Sequence, residues 1–518
     1  MTTPLCILAA GKGNRLGEFT KYLNKALLPL AGKAVISHII DKVSLDSEII
    51  VAVGYKGDAL KQYCLAAHPT RKFTFVDVEP YEGPGSGPGR SIECCRELLQ
   101  RPFYLSTVDC LVDEEWPNLN EDWLGVAEVN DPSQFSTVDT FAGKITHLRN
   151  KDPEGYHAAF IGLAGIHSYK HFWRSLRKSS DPLRETELVT AFDRCQTYPI
   201  GVRARRLSWH DTGTTENYQA ARRHFEGDEA FDFSKTKEVT YIVNDRVLKV
   251  FEDAERAQRC ITRAESLDGT PTLIVKERNT FGYEFCPGKT LYTVAEDESS
   301  SPSELFLWLD SKLWSETFNR DIAASCMRFY REKTLERYAA YKQKKSFERD
   351  RDSVVNGVYC RPIEEYLERV DWEKLASTAI CSRFHGDLQF DNIIRNDDDG
   401  FTLLDWRDSF ADHGDVGDAR YDFAKLYGGL ILPYNVIKRN DFEFNDRNHV
   451  FTLSWPVSER LKHYRETFLL FLEFKGVNLA DIELLTSLIY LNMAPLHVAP
   501  FDELLFNLAK SRLAVLFP

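Results

Sequence analysis

Glycines and cations follow the first apolar run of the chain. Residues 5–9 are apolar and predict a buried strand, and two glycines come close behind it. Glycines at this place let the main chain turn tightly and present bare amide N–H groups to a phosphate, while nearby cations can neutralise charge where a phosphorus centre is attacked. We therefore predict a nucleoside triphosphate site. Its assigned residues are Ala10, Gly11 and Gly13 for binding and Arg15 and Lys25 for catalysis.

A longer string makes this prediction more specific, because Gly11 and Gly13 alone would fit a plain surface turn equally well. Residues 9–16 read Ala-Ala-Gly-Lys-Gly-Asn-Arg-Leu, and residues 24–29 read Asn-Lys-Ala-Leu-Leu-Pro. Together they resemble the opening signature of the sugar-nucleotidyltransferase family, phosphocholine cytidylyltransferases included. The resemblance implies that an acceptor phosphate attacks the α-phosphorus of a nucleoside triphosphate and releases pyrophosphate.

The elements that position this site alternate between strand and helix through residues 34–109. That pattern predicts a Rossmann-like α/β domain with a parallel sheet covered on both faces, which binds ligands at the carboxyl ends of its strands. Residues 82–90 form a second glycine-rich loop at this edge. A flexible loop is the plain alternative, but the resemblance places Gly85, Ser86 and Gly87 against the base and ribose.

Two carboxylates stand where a triphosphate-bound Mg²⁺ needs oxygen ligands. Asp109 ends a predicted strand, and Asp211 lies in an Asp-Thr-Gly segment. The resemblance implies that both bind the metal, and that the glycines of residues 158–167 let the acceptor approach the backbone. Three scattered histidines without i,i+4 spacing are read as structural: His157, His167 and His210.

A second set of chemical residues begins beyond an acidic, unpatterned segment at 226–234, where we place the domain boundary. Residues 240–251 predict two strands about an Asn-Asp turn, and the second strand carries Lys249. This is the order of a small kinase lobe, in which such a lysine aligns ATP phosphates and pairs with a glutamate on the next helix. Glu265 is the preferred partner and Glu255 the alternative. A solvated edge-strand lysine is the plain reading of Lys249.

Asp387, Asn392 and Asp405 complete the kinase pattern. Asn392 follows Asp387 by five residues, and Asp405 follows Asn392 by thirteen at the end of a predicted strand. In this arrangement Asp387 accepts the substrate hydroxyl proton, and Asn392 and Asp405 hold Mg²⁺. The region resembles the aminoglycoside phosphotransferase and choline kinase family. It departs from that family in lacking a glycine-rich loop before Lys249 and in having Arg407 where a glutamate is common.

The bulk composition limits the partners. The chain has 518 residues and a net charge of -13, which opposes an extended nucleic acid partner but allows small anions. Eleven cysteines without Cys-x-x-Cys spacing indicate neither a zinc ribbon nor a disulfide framework. We find no run near the ~20 apolar residues of a membrane span and no signal segment, so we expect a cytoplasmic protein without membrane insertion. An oligomer is compatible with the sequence.

The sequence thus predicts a nucleotidyltransferase domain at 1–228 followed by a bilobal, protein-kinase-like α+β phosphotransferase domain at 229–518, with a small lobe to about 295. The combined hypothesis is a bifunctional enzyme. It phosphorylates a small hydroxyl compound with ATP and couples the ester to a second nucleoside triphosphate, with CTP and choline or ethanolamine favoured by resemblance. A sugar or polyol acceptor giving a sugar nucleotide is one alternative. A degenerate binding or regulatory domain in one half is the other.

Overall fold

The computed structural model describes residues 2–156, 158–179, 188, 192, 201–227, 237–297, 300–345, 350–398 and 400–518. The chain forms two compact units. The first comprises Met1–Glu229, Ser234–Ala254 and Ile274–Phe285, and the second comprises Ala230–Phe233, Glu255–Leu273 and Cys286–Pro518.

The first unit is an α/β domain. Its strands are β1 (Leu5–Ala9), β2 (Pro29–Leu30), β3 (Lys33–Ala34), β4 (Glu48–Val53), β5 (Lys72–Asp77), β6 (Phe103–Thr107), β7 (Cys110–Val112), β8 (Trp123–Glu128), β9 (Ser136–Phe141), β10 (Lys144–Asn150), β11 (Ala158–Ile166), β12 (Arg203–Arg206), β13 (Trp209–Asp211), β14 (Glu238–Val243), β15 (Arg246–Phe251), β16 (Leu273–Lys276) and β17 (Thr280–Glu284). Its helices are α1 (Glu18–Tyr22), α2 (Val35–Ile40), α3 (Gly57–Ala67), α4 (Pro88–Cys94), α5 (Tyr169–Ser179) and α6 (Thr215–Glu226).

Nine strands form the main sheet, in the order β5-β4-β1-β6-β11-β8-β12-β10-β9. The four strands from β5 to β6 are parallel, as the alternating pattern predicted, and β1 is buried on both faces. Leu5 and Ile7 belong to one hydrophobic cluster, and Cys6 and Leu8 belong to the cluster on the opposite face. Beyond β6 the sheet is largely antiparallel, because β11 returns against β6 and β8. The prediction of a parallel sheet is therefore confirmed for one half of it.

The hairpin predicted to open the second domain packs into the first unit. β14 and β15 join through Asn244 and Asp245, which both have positive φ, and they form a four-stranded sheet with β17 and β16. Tyr241 and Leu248 are fully buried in the same hydrophobic cluster as Leu5. Alternating apolar residues predict a strand but do not say which core the strand joins. The predicted boundary at 228/229 lies outside the described residues and stays a prediction.

The second unit is mainly helical. Its helices are α7 (Ala254–Ser266), α8 (Leu291–Val294), α9 (Pro302–Leu309), α10 (Ala323–Cys326), α11 (Lys333–Lys345), α12 (Ile363–Arg369), α13 (Trp372–Ser377), α14 (Ala419–Ile431), α15 (Tyr434–Lys438), α16 (Glu459–Phe474), α17 (Leu479–Met493) and α18 (Phe501–Leu516). Its strands are β18 (Gly288–Thr290), β19 (Ser353–Val355), β20 (Val358–Cys360), β21 (Cys381–Ser382), β22 (Ile393–Asn396), β23 (Phe401–Leu403), β24 (Gly417–Asp418), β25 (Glu443–Arg447) and β26 (Val450–Ser454).

The core of the second unit is formed chiefly by its C-terminal helices. Residues of α17 and α18 share one hydrophobic cluster with α11 and α12. One stretch, Leu479–Leu496, is long and apolar enough to cross a membrane by length and composition alone, contrary to the expectation that no run approaches this length. Half of it is buried inside the fold, as in a core helix of a globular protein.

Replacing Leu248 with Ala tests the assignment of the hairpin to the first unit. The buried side chain leaves a cavity on truncation, so we expect the free energy of unfolding to fall by about 2–5 kcal/mol. Amide hydrogen exchange should show the loss of protection in β1 and α3. The matched control is Ile242→Ala on β14, whose side chain is 49% exposed and should change stability little. Loss of protection confined to α7–α18 would contradict the assignment.

Candidate functional sites

The glycine turn after β1 is held by a buried asparagine. Gly13 has φ 72°, and a Cβ there would lie 3.3 Å from Lys25 Cβ, so glycine permits the turn to pack against the lysine stem. Asn24 is fully buried, donates to the Ala9 carbonyl at 3.1 Å and accepts from the Ala26 N–H at 2.8 Å. Asn24 therefore fixes the position of Lys25 beside the turn. Sequence reasoning quoted Asn24 in the motif but gave it no role.

Asp109 and Asp211 are brought together by paired backbone segments. Strands β7 and β13 are antiparallel, with Asp211 opposite Cys110, and the Thr212 N–H donates to the Asp109 carbonyl at 3.1 Å. A Cβ atom placed on Gly213 would lie 2.9 Å from Asp211 Oδ1 and 3.3 Å from Asp109 Oδ2. Two residues a hundred positions apart thus present carboxylate oxygens to one small space.

The two predicted catalytic cations lie at the same place. Lys25 Nζ is 2.9 Å from Asp109 Oδ2, and an Arg15 guanidinium nitrogen lies 3.3 Å from the same Gly213 Cβ position. The structure therefore brings together the four predicted residues Arg15, Lys25, Asp109 and Asp211. Carboxylates with flanking cations suit a metal-bound polyphosphate, whose charge both kinds of group can share.

The protonation preferences of the two carboxyl groups differ. Burial would raise the pKa of Asp109, but the charge and hydrogen bond of Lys25 lower it to about 2. Burial and the charge of Asp109 raise the pKa of Asp211, against the opposing hydrogen bonds from Asn217 and the Gly213 N–H. The pKa values of two close carboxyl groups diverge in this way when their negative charges are not fully neutralised. The two carboxylates therefore fit a hard divalent cation such as Mg²⁺.

The second glycine loop adopts conformations that favour glycine. Gly85 and Gly87 have φ of 82° and 108°, and Ser86 is buried with its hydroxyl donating to the Gly83 carbonyl at 2.6 Å. Lys12 Nζ lies 3.4 Å from Glu82 Oε1, so an ion pair connects this loop to the turn after β1. The assignment of Gly85, Ser86 and Gly87 to base and ribose remains a prediction.

The glycines of β11 serve packing within the domain. A Cβ on Gly162 would lie 2.1 Å from the Thr107 hydroxyl, and one on Gly165 would lie 2.2 Å from the Trp123 indole nitrogen. Packing against Thr107 and Trp123 therefore requires glycine at these two positions, and the approach of an acceptor to this strand remains a prediction.

His210 belongs to a cluster that sequence spacing missed. His210 Nε2 and His224 Nε2 lie 3.0 and 3.3 Å from the carboxylate oxygens of Asp113. The ligand atoms of these three residues fall within 4.8 Å of one another, although each histidine nitrogen already faces the carboxylate. His167 is exposed just after the end of β11, and His157 lies outside the described residues.

In the second unit, a buried aspartate anchors the loop that carries Asp387. Asp422 on α14 is fully buried and accepts from the backbone N–H groups of His385 and Gly386 at 2.6 and 2.7 Å. The His385 ring contacts the Leu404 carbonyl at 2.8 Å, and burial lowers its pKa to about 4, so the imidazole is neutral. Sequence reasoning missed Asp422, although a carboxylate within an apolar helix is a usable signal.

The backbone brings Asn392 next to the residue that precedes Asp405. Asn392 donates from Nδ2 to the Asp387 carbonyl at 2.8 Å, and the Leu404 N–H donates to the Asn392 carbonyl at 2.8 Å. Asp405 has φ 58°, a left-handed conformation that costs energy in a residue with a side chain. The amide oxygen of Asn392 and the carboxylate of Asp405 are oxygen ligands suited to Mg²⁺.

Asp387 faces a lysine that the sequence did not single out. Lys425 Nζ lies 2.7 Å from Asp387 Oδ1. Burial alone would lower the pKa of Lys425, but the charge of Asp387 and their hydrogen bond raise it above its ordinary value. The lysine therefore stays charged beside Asp387, and a neighbouring positive charge stabilises a carboxylate.

Lys249 has a carboxylate neighbour within the first unit. Its Nζ lies 3.6 Å from Glu238 Oε1, and both side chains are buried. Glu265 and Glu255 lie exposed on α7. Because α7 belongs to the second unit, pairing of Lys249 with either glutamate remains a prediction.

Comparisons with known proteins identify the N-terminal part of the chain. Residues 5–116 match the MobA-like NTP transferase domain. The bifunctional protein GlmU of Methanocaldococcus jannaschii is 30% identical over 191 residues, which are 36% of this chain and 45% of that protein. A CMP-5'-(3-aminopropyl)phosphonate synthase of Streptomyces rubellomurinus is 28% identical over 109 residues, 21% of this chain and 17% of that protein. The chain spans about half the length of the GlmU relatives or less.

Among solved structures, the CTP:phosphocholine cytidylyltransferase of Streptococcus pneumoniae superposes with a TM-score of 0.37 at 16% identity, covering 44% of this chain and all of that one. The inositol-1-phosphate CTP transferase of T. maritima gives 0.36 at 18% identity, covering 44% of this chain and 97% of that one. The matched residues 5–116 contain the glycine turn, Lys25 and Asp109. The chain therefore carries a nucleotidyltransferase domain of the MobA-like type at its N-terminal end.

Proposed function

We propose that the protein is a bifunctional enzyme that makes a phosphate ester and then activates it with a nucleotide. The observation that carries the proposal is that, among the described residues, each compact unit brings together polar groups suited to phosphate chemistry. One is built around Asp109 and Asp211 and the other around Asp387, Asn392 and Asp405. A kinase product is a suitable substrate for a nucleotidyltransferase, which gives a single chain a reason to hold both.

In the second unit the reaction is phosphoryl transfer from ATP to a hydroxyl group. The hydroxyl oxygen attacks the γ-phosphorus, the bond to the bridging oxygen breaks, and ADP leaves. Asp387 accepts the hydroxyl proton, and its ion pair with Lys425 favours the ionised form that this role requires. Asn392 and Asp405 would hold Mg²⁺, which neutralises phosphate charge.

In the first unit the phosphate ester is the nucleophile. Its oxygen attacks the α-phosphorus of a nucleoside triphosphate, and pyrophosphate leaves. Lys25 and Arg15 stabilise the negative charge that builds up at the α-phosphoryl group, and the turn at Gly11 and Gly13 presents backbone N–H groups. Asp109 and Asp211 would hold Mg²⁺, which binds the triphosphate oxygens.

The nucleotide we favour is CTP. The original resemblance to phosphocholine cytidylyltransferases supports it, and one relative, by its name, makes a CMP-linked phosphonate. Choline or ethanolamine was the acceptor predicted by resemblance. A quaternary ammonium would need an aromatic box, for which Trp406 and Tyr421 are the candidates. Trp406 is buried with its indole N–H donating to the Cys260 carbonyl at 2.9 Å, which leaves little of it to contact a ligand.

Two alternatives remain. The first is a sugar or polyol kinase coupled to the synthesis of a sugar nucleotide. Arg407 favours a sugar or polyol acceptor over choline, since a cation beside a cationic head group costs energy. The second is a regulatory role for one unit. It is disfavoured because the charged catalytic positions are occupied in both units. Mass spectrometry of products formed from four nucleoside triphosphates and a panel of alcohols discriminates among these acceptors and nucleotides.

Replacing Asp387 with Asn tests the kinase half. We expect ATP-dependent phosphorylation of the acceptor to fall by about 10²–10⁴-fold, because the proton acceptor is lost. Pyrophosphate release from a pre-made phosphate ester should be unchanged. ADP and pyrophosphate are measured in separate coupled assays on the same preparation. Equal loss of both activities would show that the division of labour is wrong.

Replacing Asp109 with Asn is the converse test. We expect pyrophosphate release to fall by about 10²-fold or more, because a metal ligand and the partner of Lys25 are removed together. ADP formation should persist. Each variant is the matched control for the other, and an Asp109→Asn enzyme that still releases pyrophosphate at the normal rate would overturn the first site.

A further inference from the structure

Two cations lie against one aromatic ring in the second unit. Phe329 is part of a π-helical turn, Met327–Glu332, and such turns are frequent at functional sites. The Arg407 guanidinium carbon lies 4.9 Å from the centre of the Phe329 ring, and Lys333 Nζ lies 4.2 Å from it. Phe410 and Tyr421 pack on the same ring with centroid distances of 4.4 and 4.9 Å. The Phe329 ring thus packs on two aromatic rings and contacts two basic side chains.

Neither cation has a carboxylate partner within 4.0 Å among the residues that the structure describes. The acidic neighbours of Arg407 are already engaged: Asp408 Oδ2 lies 2.9 Å from Arg259, and Asp412 pairs with Arg328. Lys333 and Arg407 are both half-buried. The nearby carboxylate of Asp387 already pairs with Lys425, so two partly desolvated basic groups lie close together at a cost that a bound anion would relieve.

This pair of cations adjoins Asp387. The Arg407 N–H donates to the His385 carbonyl at 2.9 Å, and a Cβ on Gly386 would lie 2.5 Å from Arg407 Cβ. Burial lowers the pKa of Lys333 to about 6, with the charges of Arg407, Arg337 and Lys425 acting in the same direction and Asp387 opposing them. The buried site and its positive neighbours thus disfavour the protonated form of Lys333, and an anion bound beside it would favour that form.

We propose that Arg407 and Lys333 form a subsite for an anionic group, a carboxylate or a phosphonate, on the hydroxyl compound phosphorylated at Asp387. This inference rests on the proposed kinase function and names its substrate class. A quaternary ammonium needs an open aromatic face, whereas the face of Phe329 already carries cations. A planar carboxylate or a phosphonate can accept hydrogen bonds from the Arg407 guanidinium, and its charge favours protonation of Lys333, which then donates a further hydrogen bond.

The experiment compares matched alcohols on the full-length protein with ATP and Mg²⁺. Glycerate is paired with glycerol, and 2-hydroxyethylphosphonate is paired with ethanolamine and choline. We expect kcat/KM, measured by ADP release, to favour each anionic member by at least about 10-fold, as one charged hydrogen bond supports. Comparable or higher rates with choline or ethanolamine would overturn the inference while leaving the kinase function standing.

Variants locate the effect. Arg407→Gln and Lys333→Gln should each lower kcat/KM for the anionic acceptor by about 10- to 100-fold, with KM for ATP unchanged. Arg407→Glu should shift the preference toward the cationic alcohols. Lys462→Gln, on the surface of α16, is the control and should change neither parameter. A rise in KM for ATP alone would assign the cations to the donor phosphates and overturn the inference.

A binding measurement separates this inference from the proposed function. If no alcohol is phosphorylated, the kinase function fails, and calorimetric titration with glycerate and 2-hydroxyethylphosphonate decides the subsite. Binding that is lost in Arg407→Gln supports an anion site, and no binding to the wild-type protein overturns it. Circular dichroism checks the fold of each variant, and the Arg407→Gln result is sufficient if Lys333→Gln does not fold.

Discussion

Mutual repulsion between Asp109 and Asp211 is the constraint on which the first unit depends. Two carboxylates at one place are unfavourable unless cations or hydrogen-bond donors oppose them. The fold supplies Lys25 at 2.9 Å from Asp109, an Arg15 guanidinium, and the Asn217 amide at 2.6 Å from Asp211. The backbone pairing of β7 with β13 prevents the two segments from moving apart. The sheet, the glycine turn and α6 therefore all contribute to keeping negative charge concentrated in one place.

The second unit also has to stabilise a buried carboxylate, which lies on a helix. Asp422 is fully buried on α14, where burial raises its pKa to about 6, yet two backbone N–H groups favour its ionised form. This bond network fixes the loop before Asp387, and Lys425, one turn further along the same helix, pairs with Asp387 itself. One helix thus sets both the position and the charge of the loop. Buried polar groups of this kind specify a geometry more than they add stability.

Sequence reasoning found the residues whose motifs are local and missed those that act across the fold. Lys25, Asp109 and Asp387 follow from short strings and strand ends. Lys425 and Asp422 were not assigned roles, because a charged residue in a helical pattern shows its partner only after folding. Residues 240–251 were predicted correctly as two strands. Their burial in the core of the first unit was not predicted, because alternating apolar residues show that a strand has a buried face but not which element packs against it. The antiparallel half of the main sheet was missed for the same reason.

Both proposed activities require a local positive charge within an acidic protein. The chain is acidic overall, with a net charge of -13, yet each site concentrates cations: Arg15 and Lys25 in one unit, and Arg407 and Lys425 in the other. A negative net charge disfavours long polyanions, whereas a local positive site still binds a small anion, because the attraction acts over a few ångströms. An acceptor that is already anionic gains further charge when it is phosphorylated. The first unit must then bind a compound of at least three negative charges beside a triphosphate, and the cations around Asp109 have to offset that repulsion.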